Sequence, residues 1–136
     1  MHLGKASAYA VFATVHIAER GLTRPVQGRE IAKERGIPFG YLLKILQQLV
    51  RGDVLTSQVG RSGGFTLKRP ASQTTLLDII EAVEGPLKGS IAGVVNGDPM
   101  ARRSVRLLSE TCDSVASLTR TEFQKITVEA LIQSSR

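Results

Sequence analysis

Hydrophobic positions change their spacing along the chain, and the changes divide it into elements. Residues 6–19 carry apolar side chains at Ala8, Val11, Phe12 and Val15, the i, i+3, i+4, i+7 stripe of an amphipathic helix. Gly21 and the run Thr23-Arg24-Pro25 interrupt it, as turn formers do. Residues 27–35 predict a short polar helix anchored by Ile31 and Ala32. Gly36 follows, where helices commonly end in left-handed backbone. Pro38 opens the next helix in its first turn, where a missing N–H costs nothing. That helix runs to about Arg51, with Leu42, Ile45, Leu46 and Leu49 on its buried stripe and Tyr41, Lys44, Gln48 and Arg51 opposite.

The period then drops to two. Residues 55–59 and 65–67 read as strands joined by Gly60-Arg61-Ser62-Gly63-Gly64, a hairpin, and Pro70 ends it. A helix over residues 76–84 turns Leu77, Ile80 and Val83 inward, and Gly85-Pro86 closes this first unit. Residues 88–100, with Gly89, Gly93, Gly97 and Pro99, read as a loop. From about residue 101 to 124 the seam Val105, Leu108, Cys112, Val115 and Leu118 marks one helix of roughly 35 Å. Residues 127–132 add a short helical turn. A helix that long, standing beyond a small domain, needs something to bury its seam, and a second copy of itself is the economical candidate. The predicted fold is therefore mainly α with a small β-hairpin. A winged helix-turn-helix domain occupies residues 1–86, a loop 87–100, and a dimerisation helix plus a short helix 101–136.

Composition narrows the partners. The 136 residues hold one compact domain with an appended element, and 42% of them are hydrophobic, which is enough for a core. Eighteen basic residues against twelve acidic ones, net +6, favour a polyanion: nucleic acid first, an acidic membrane surface second. The single cysteine excludes an internal disulfide and fits a reducing compartment. With His2 and His16 it cannot complete a closed zinc site of about four ligands. The uncharged stretch 6–18 is shorter than the roughly 20 residues of a membrane span and lacks a cleavage site. A cytoplasmic protein with no membrane role is the expectation.

The order of elements carries the functional reading. Two helices joined through Gly36-Ile37 make a helix-turn-helix whose second member can enter a major groove. Its outward Tyr41 and Lys44 can reach phosphates or base edges. Between Asp53 and Asp78 the chain has no acidic residue, while Arg61, Lys68 and Arg69 add positive charge to the hairpin. The small residues Gly60, Gly63 and Gly64 would let its tip approach a sugar-phosphate backbone.

Several stretches together resemble the Rrf2 family of bacterial transcription regulators. They are Lys5-Ala6-Ser7-Ala8-Tyr9-Ala10-Val11, Arg29-Glu30-Ile31-Ala32, Pro38-Phe39-Gly40-Tyr41-Leu42-Leu43-Lys44-Ile45-Leu46 and Gly60-Arg61-Ser62-Gly63-Gly64-Phe65. The helix 76–85 and the closing Ile126-Thr127-Val128-Glu129-Ala130-Leu131 are similar too. The likeness is strong over about residues 3–86 and weaker beyond. It implies a homodimer crossing long C-terminal helices on a near-palindromic operator, with repression as the commoner mode. Matched positions imply Lys5 and Tyr9 on the phosphate backbone of double-stranded DNA, Pro38, Phe39, Gly40, Tyr41 and Lys44 at the major groove, and Arg61, Ser62, Gly63 and Gly64 at the wing. Val105, Leu108, Cys112, Val115 and Leu118 would form the dimer interface.

Two departures matter. Family wings often carry Arg-Gly just before the loop, where this chain has Val59-Gly60, leaving Arg61 alone to probe a minor groove. Members that sense iron, nitric oxide or redox state hold a cluster on three cysteines before and at the start of the long helix. No cysteine lies there in this sequence, and Cys112 falls well inside the helix. The expectation is a protein with no cofactor and no metal, answering to a small molecule, a partner protein or thiol oxidation.

Other readings are weaker. Cys112 reads first as a small buried hydrophobe, His16 as a packed histidine rather than a ligand, and Asp78, Glu81 and Glu84 as a solvated face. The turn Gly60 to Gly64 lacks the Lys-Ser/Thr of a phosphate-binding loop. No nucleophile–base pair suggests an enzyme. The rival from another class is a winged-helix module that docks protein and no longer reads DNA.

Overall fold

A computed structural model of the chain describes residues 1–89 and 97–136. It contains the helices α1 (Lys5–Arg20), α2 (Gly28–Arg35), α3 (Phe39–Arg51), α4 (Leu76–Glu84), α5 (Pro99–Gln124) and α6 (Val128–Ser134). Strands β1 (Leu55–Gln58) and β2 (Gly64–Leu67) lie between α3 and α4, followed by a 3₁₀ turn at Ala71–Gln73. Among the described residues no helix is long and apolar enough to cross a membrane.

α1 runs through the middle of the N-terminal unit, touching α2, α3, α4, α6 and β2. Its buried face differs from the predicted one. Ala10, Ala13, Thr14 and Ile17 are inside, with Ser7, His16 and Ala18, whereas Phe12 is half exposed and Ala8 exposed. Small side chains let a central helix approach several neighbours closely, so packing selects the alanine row over the larger apolar row. Thr14 is tolerated inside because its Oγ1 donates to the Ala10 carbonyl at 2.7 Å, which removes most of the penalty for a buried hydroxyl.

The helix-turn-helix follows the predicted chemistry. Gly36 closes α2 in left-handed backbone (φ 66°, ψ 34°), and Ile37 tucks in behind it, donating to the Ala32 carbonyl at 3.1 Å. Pro38 is the residue that caps α3 rather than its first helical residue. Leu42, Ile45, Leu46 and Leu49 are buried as the period predicts, in a core with Ile17, Ile31, Val54, Leu55 and Ile79. In α4 the inward residues are Leu77, Ile79 and Ile80, and Val83 lies at the edge of the core. α4 is started by a reciprocal cap: Asp78 N–H donates to Thr75 Oγ1 at 3.1 Å and Thr75 N–H to Asp78 Oδ2 at 2.9 Å. Such caps stabilise a helix by about 1 kcal/mol.

β1 and β2 pair antiparallel, Leu55 opposite Leu67 and Gln58 opposite Gly64. A third segment joins them. Val26 exchanges two backbone hydrogen bonds with Phe65, 3.0 and 2.8 Å, so the hairpin is anchored to the loop between α1 and α2.

α5 begins earlier than expected. The predicted loop over 88–100 ends at Asp98, whose carboxylate accepts from Ala101 N–H at 2.8 Å, with Pro99 and Met100 already helical; residues 90–96 of that loop lie outside the described residues. No residue of α5 is fully buried. Leu107, Leu108, Val115 and Leu118 are more than half exposed, while Val105 and Cys112 are partly covered. The chain presents 8852 Å² to solvent, roughly 1,900 Å² more than the surface expected for a compact monomer of its mass. α6 then folds back. Val128 is wholly buried in the core, its N–H donates to the Thr74 carbonyl at 2.8 Å, and Leu76 N–H donates to that of Ile126 at 2.8 Å.

Candidate nucleic-acid interface

The outward face of α3 is where the sequence-derived contacts gather. Tyr41 and Lys44 are exposed on it. Tyr41 meets the ring of Tyr9 edge-on, centroids 5.7 Å apart at 79°, so α1 and α3 present one aromatic ridge. Ser7 Oγ donates to Glu84 Oε1 at 2.7 Å, which fixes the start of α1, and with it Lys5 and Tyr9, against the end of α4. A groove of about 350 Å³ runs beside the ridge, lined by Tyr41, Lys44, Gln47, Gln48 and Arg51 from α3.

The start of α3, at Pro38, has no side-chain cap, so the first-turn N–H groups of Phe39, Gly40 and Tyr41 point outward at the positive end of the helix dipole. A Cβ at exposed Gly40 would meet nothing within 4 Å, so the glycine has no internal packing duty there and leaves the backbone approachable. On the other side of this turn, a groove of about 300 Å³ separates α2 and α3 from the hairpin, lined among others by Arg29, Phe39, Gly60 and Gly63. Arg29 lies over the Phe39 ring at 4.5 Å, which holds the guanidinium at the rim of the groove.

The hairpin needs two corrections. Lys68 and Arg69 do not add free charge to it: Lys68 pairs with Asp53 at 2.6 Å and Arg69 with Asp78 at 3.1 Å. Charge counting between the two aspartates missed that the aspartates themselves are the partners. The Lys68 ammonium also holds the exposed Asp53 carboxyl below its ordinary value, first through the hydrogen bond. Gly63 and Gly64, in turn, are small for internal reasons. A Cβ at Gly63 would fall 2.3 Å from the Gln58 carbonyl oxygen, and one at Gly64, where φ is 148°, 2.6 Å from that of Val26. Gly60, also at positive φ (115°), meets no such neighbour. Arg61 and Ser62 stand exposed at the tip.

Among the described residues Lys5, Arg29, Lys44, Arg51 and Arg61 form no ion pair. Arg51 stands on the outward stripe that the helical period predicted, whereas Arg29 escaped the sequence reading because it joins the face only after α2 and α3 are packed. The carboxylates read as a solvated face on α4 are instead engaged: Asp78 in the cap and with Arg69, Glu84 with Ser7, and Glu81 with Arg120 of α5 and with the Leu87 N–H at 2.7 Å. The Glu81–Arg120 pair ties the long helix to the N-terminal unit.

Away from this face, His16 is wholly buried. Its Nδ1 accepts from Arg35 Nε at 3.1 Å, while Nε2 has no hydrogen-bond partner. Burial and then the Arg35 charge hold the imidazole below its ordinary pKa, against the opposing pull of Glu34 and Glu30. An unsatisfied buried polar atom costs roughly 1–3 kcal/mol, so its retention calls for a reason.

Comparison with known proteins agrees with this architecture. The Rrf2 family model, described as an iron-dependent transcriptional regulator, matches residues 3–134. Protein aau3 of Rhizobium meliloti is 38% identical over 84 residues, 62% of this chain and 54% of that protein. The HTH-type transcriptional regulator IscR of Klebsiella pneumoniae is 31% identical over 84 residues, 62% of this chain and 52% of that protein. The matched region thus spans little more than half the length of these curated relatives. The structure of CymR, described as the global cysteine regulator of B. subtilis, superposes with a TM-score of 0.75 at 19% identity, over 98% of each chain. That of T. potens IscR gives 0.72 at 20% identity, covering all of this chain and 89% of the other. With the family model matching nearly the whole length and the winged-helix fold shared throughout, the chain belongs to the Rrf2 family of transcriptional regulators.

Proposed function

We propose that this chain binds double-stranded DNA as a homodimer and represses transcription by occupying a near-palindromic operator. The observation that carries the reading is a set of cations without ion-pair partners on and beside α3, whose start no side chain caps. Lys5, Arg29, Lys44, Arg51 and Arg61 form no ion pair among the described residues, whereas Lys68 and Arg69, at the root of the hairpin, do. Unpaired cations framing a recognition helix supply the phosphate contacts that dominate affinity. Tyr41 and the exposed glutamine Gln47 are the groups placed to reach base edges. Repression is the mode that the family resemblance implies.

The dimer reading rests on α5. Val105, Leu108, Cys112, Val115 and Leu118 form an apolar seam that the chain's own core does not cover. The excess surface of one chain is about twice the roughly 800 Å² that each partner buries in a standard interface, and two chains together fall in the range of about 2,000–5,000 Å² typical of obligate homodimers. A two-fold pairing of α5 helices would bury the seam and present two α3 helices to successive turns of one duplex face.

An iron–sulfur cluster does not fit this donor set. Such clusters are held by about four thiolates, or by thiolates with histidine. The chain has one cysteine, Cys112, lodged partly covered in the α5 seam, so even a dimer offers two thiolates. We therefore assign no cluster to this protein.

The test is binding of the purified protein to a labelled duplex from upstream of its own gene, beside a scrambled duplex, across a salt series. Preference for the upstream duplex with a steep salt slope supports the reading. Salt-insensitive or absent binding, unchanged by Lys44→Ala and Arg61→Ala, would favour a winged-helix module that docks protein instead.

A further inference from the structure

His16, Glu30 and Glu34 come from two helices to one point. His16 lies on α1, and Glu30 and Glu34 sit four residues apart on α2, so their carboxylates share one face of that helix. One donor atom from each lies within 4.8 Å of the others. His16 Nε2 is 3.9 Å from Glu30 Oε1 and 4.0 Å from Glu34 Oε2, too far for a direct hydrogen bond. Ligands around a tetrahedral ion with bonds of about 2.1 Å sit roughly 3.4 Å apart, so carboxylate movements of about 0.5–1.5 Å, within the reach of a glutamate rotamer adjustment, close the set. The nitrogen aimed between the two carboxylates is also the buried side-chain atom without a hydrogen-bond partner.

We propose that His16, Glu30 and Glu34 form a binding site for a divalent transition-metal cation that clamps α2 to α1. One imidazole and two carboxylates suit zinc or a harder first-row ion such as manganese, with water completing the shell. The ion would satisfy Nε2 and balance the paired carboxylates at once. A site of this kind uses no cysteine ligand and is independent of the DNA reading.

Three guanidinium groups compete for the same ligands, and they define the test. Arg24 holds both Glu30 oxygens, at 3.2 and 3.3 Å, and Arg20 pairs with Glu34 at 3.1 Å. Both arginines are about half exposed, so the Arg20 pair is weakly held, whereas the two-pronged Arg24 grip must open for Glu30 to act as a ligand. Arg35 is a further obstacle. A metal on Nε2 requires the proton on Nδ1, yet Arg35 Nε donates to Nδ1. Loading therefore moves Arg35 away, and replacing Arg35 lowers the barrier to binding.

The experiment is calorimetric titration of zinc chloride, and in parallel manganese chloride, into the full chain after chelator treatment and dialysis. Glu30→Gln, Glu34→Gln, Arg35→Gln and Cys112→Ser are titrated beside it, each first shown folded by circular dichroism. The glutamate variants alter carboxylates at the protein surface, so they test the site without touching the buried imidazole. The expected result is one equivalent of zinc or manganese per chain, weakened at least tenfold in each glutamate variant, unchanged in Cys112→Ser and tightened several-fold in Arg35→Gln. X-ray absorption of the loaded protein should show only nitrogen and oxygen ligands, without sulfur at about 2.3 Å. The proposal is overturned by absence of stoichiometric binding, by binding only after Arg35→Gln, by binding indifferent to both glutamates, or by binding lost with Cys112.

Discussion

Gly64→Ala should unseat the wing. Gly64 starts β2 at φ 148°, and an added Cβ would lie 2.6 Å from the Val26 carbonyl oxygen and 2.7 Å from its carbon. Backbone cannot yield as a flexible side chain would, so Val26 and Phe65 must separate, and with them their two hydrogen bonds of 3.0 and 2.8 Å. Each bond contributes about 1 kcal/mol net, and forcing a side chain into this backbone region adds roughly 1–3 kcal/mol. The expected loss is about 3–5 kcal/mol, a large share of a stability that is typically 5–15 kcal/mol. With a urea slope near 2 kcal/mol/M, the unfolding midpoint should fall by about 1.5–2.5 M. Gly60→Ala is the control. It too has positive φ (115°), but nothing lies within 4 Å of its added Cβ, so only the conformational cost of about 1–2 kcal/mol applies. Equal losses for the two variants, or a change at Gly64 below 0.5 kcal/mol, would refute the claim that the Val26 contact sets the wing.

Three further outcomes follow from the same geometry. Arg29→Ala or Lys44→Ala should weaken DNA binding and reduce the slope of log affinity against log salt by about one. Lys68→Ala, whose charge is matched by Asp53, should leave that slope unchanged in the same titration. Val128→Ala should cost about 2 kcal/mol in urea unfolding, because the side chain is wholly buried and leaves a cavity among fixed neighbours; a loss below 0.5 kcal/mol would mean that α6 is not part of the core. Replacing both Leu108 and Val115 by glutamate should convert the protein to a monomer in sedimentation while keeping its helical circular dichroism, and a persistent dimer would place the interface elsewhere.

What the sequence made legible depends on whether period or contact decided the outcome. The buried stripe of α3 was readable because one face of a single helix is buried and large aliphatic side chains mark it. α1 was placed correctly but misphased. Packed on several elements at once, it buries Ala10, Ala13 and Thr14, and size limits rather than hydrophobicity choose those residues. The role of Val128 was hidden for a different reason: Val128, Leu131 and Ile132 mark an i, i+3, i+4 stripe, but so short a helix does not say what it packs on, and the burial follows from the return of the chain to Thr74. The Asp98-Pro99 start of α5 was readable, since an aspartate cap before a proline is a common helix opening, but the neighbouring glycines outweighed it. At the interface, Lys44 and Arg61 could be named from local motifs. The discharge of Lys68 and Arg69, the stacking of Arg29 on Phe39 and the meeting of His16 with Glu30 and Glu34 are long-range events that no local pattern encodes.

The face formed by α3, the start of α1 and the hairpin is the surface proposed to read DNA. The most direct test is the affinity of the purified protein for a duplex from upstream of its own gene relative to a scrambled duplex of equal length, measured across salt. Binding to the upstream duplex should be tighter by roughly a thousandfold, with a steep salt slope that shrinks in Lys44→Ala. Equal, weak binding to both duplexes, together with no palindrome enriched from a random duplex pool, would contradict it.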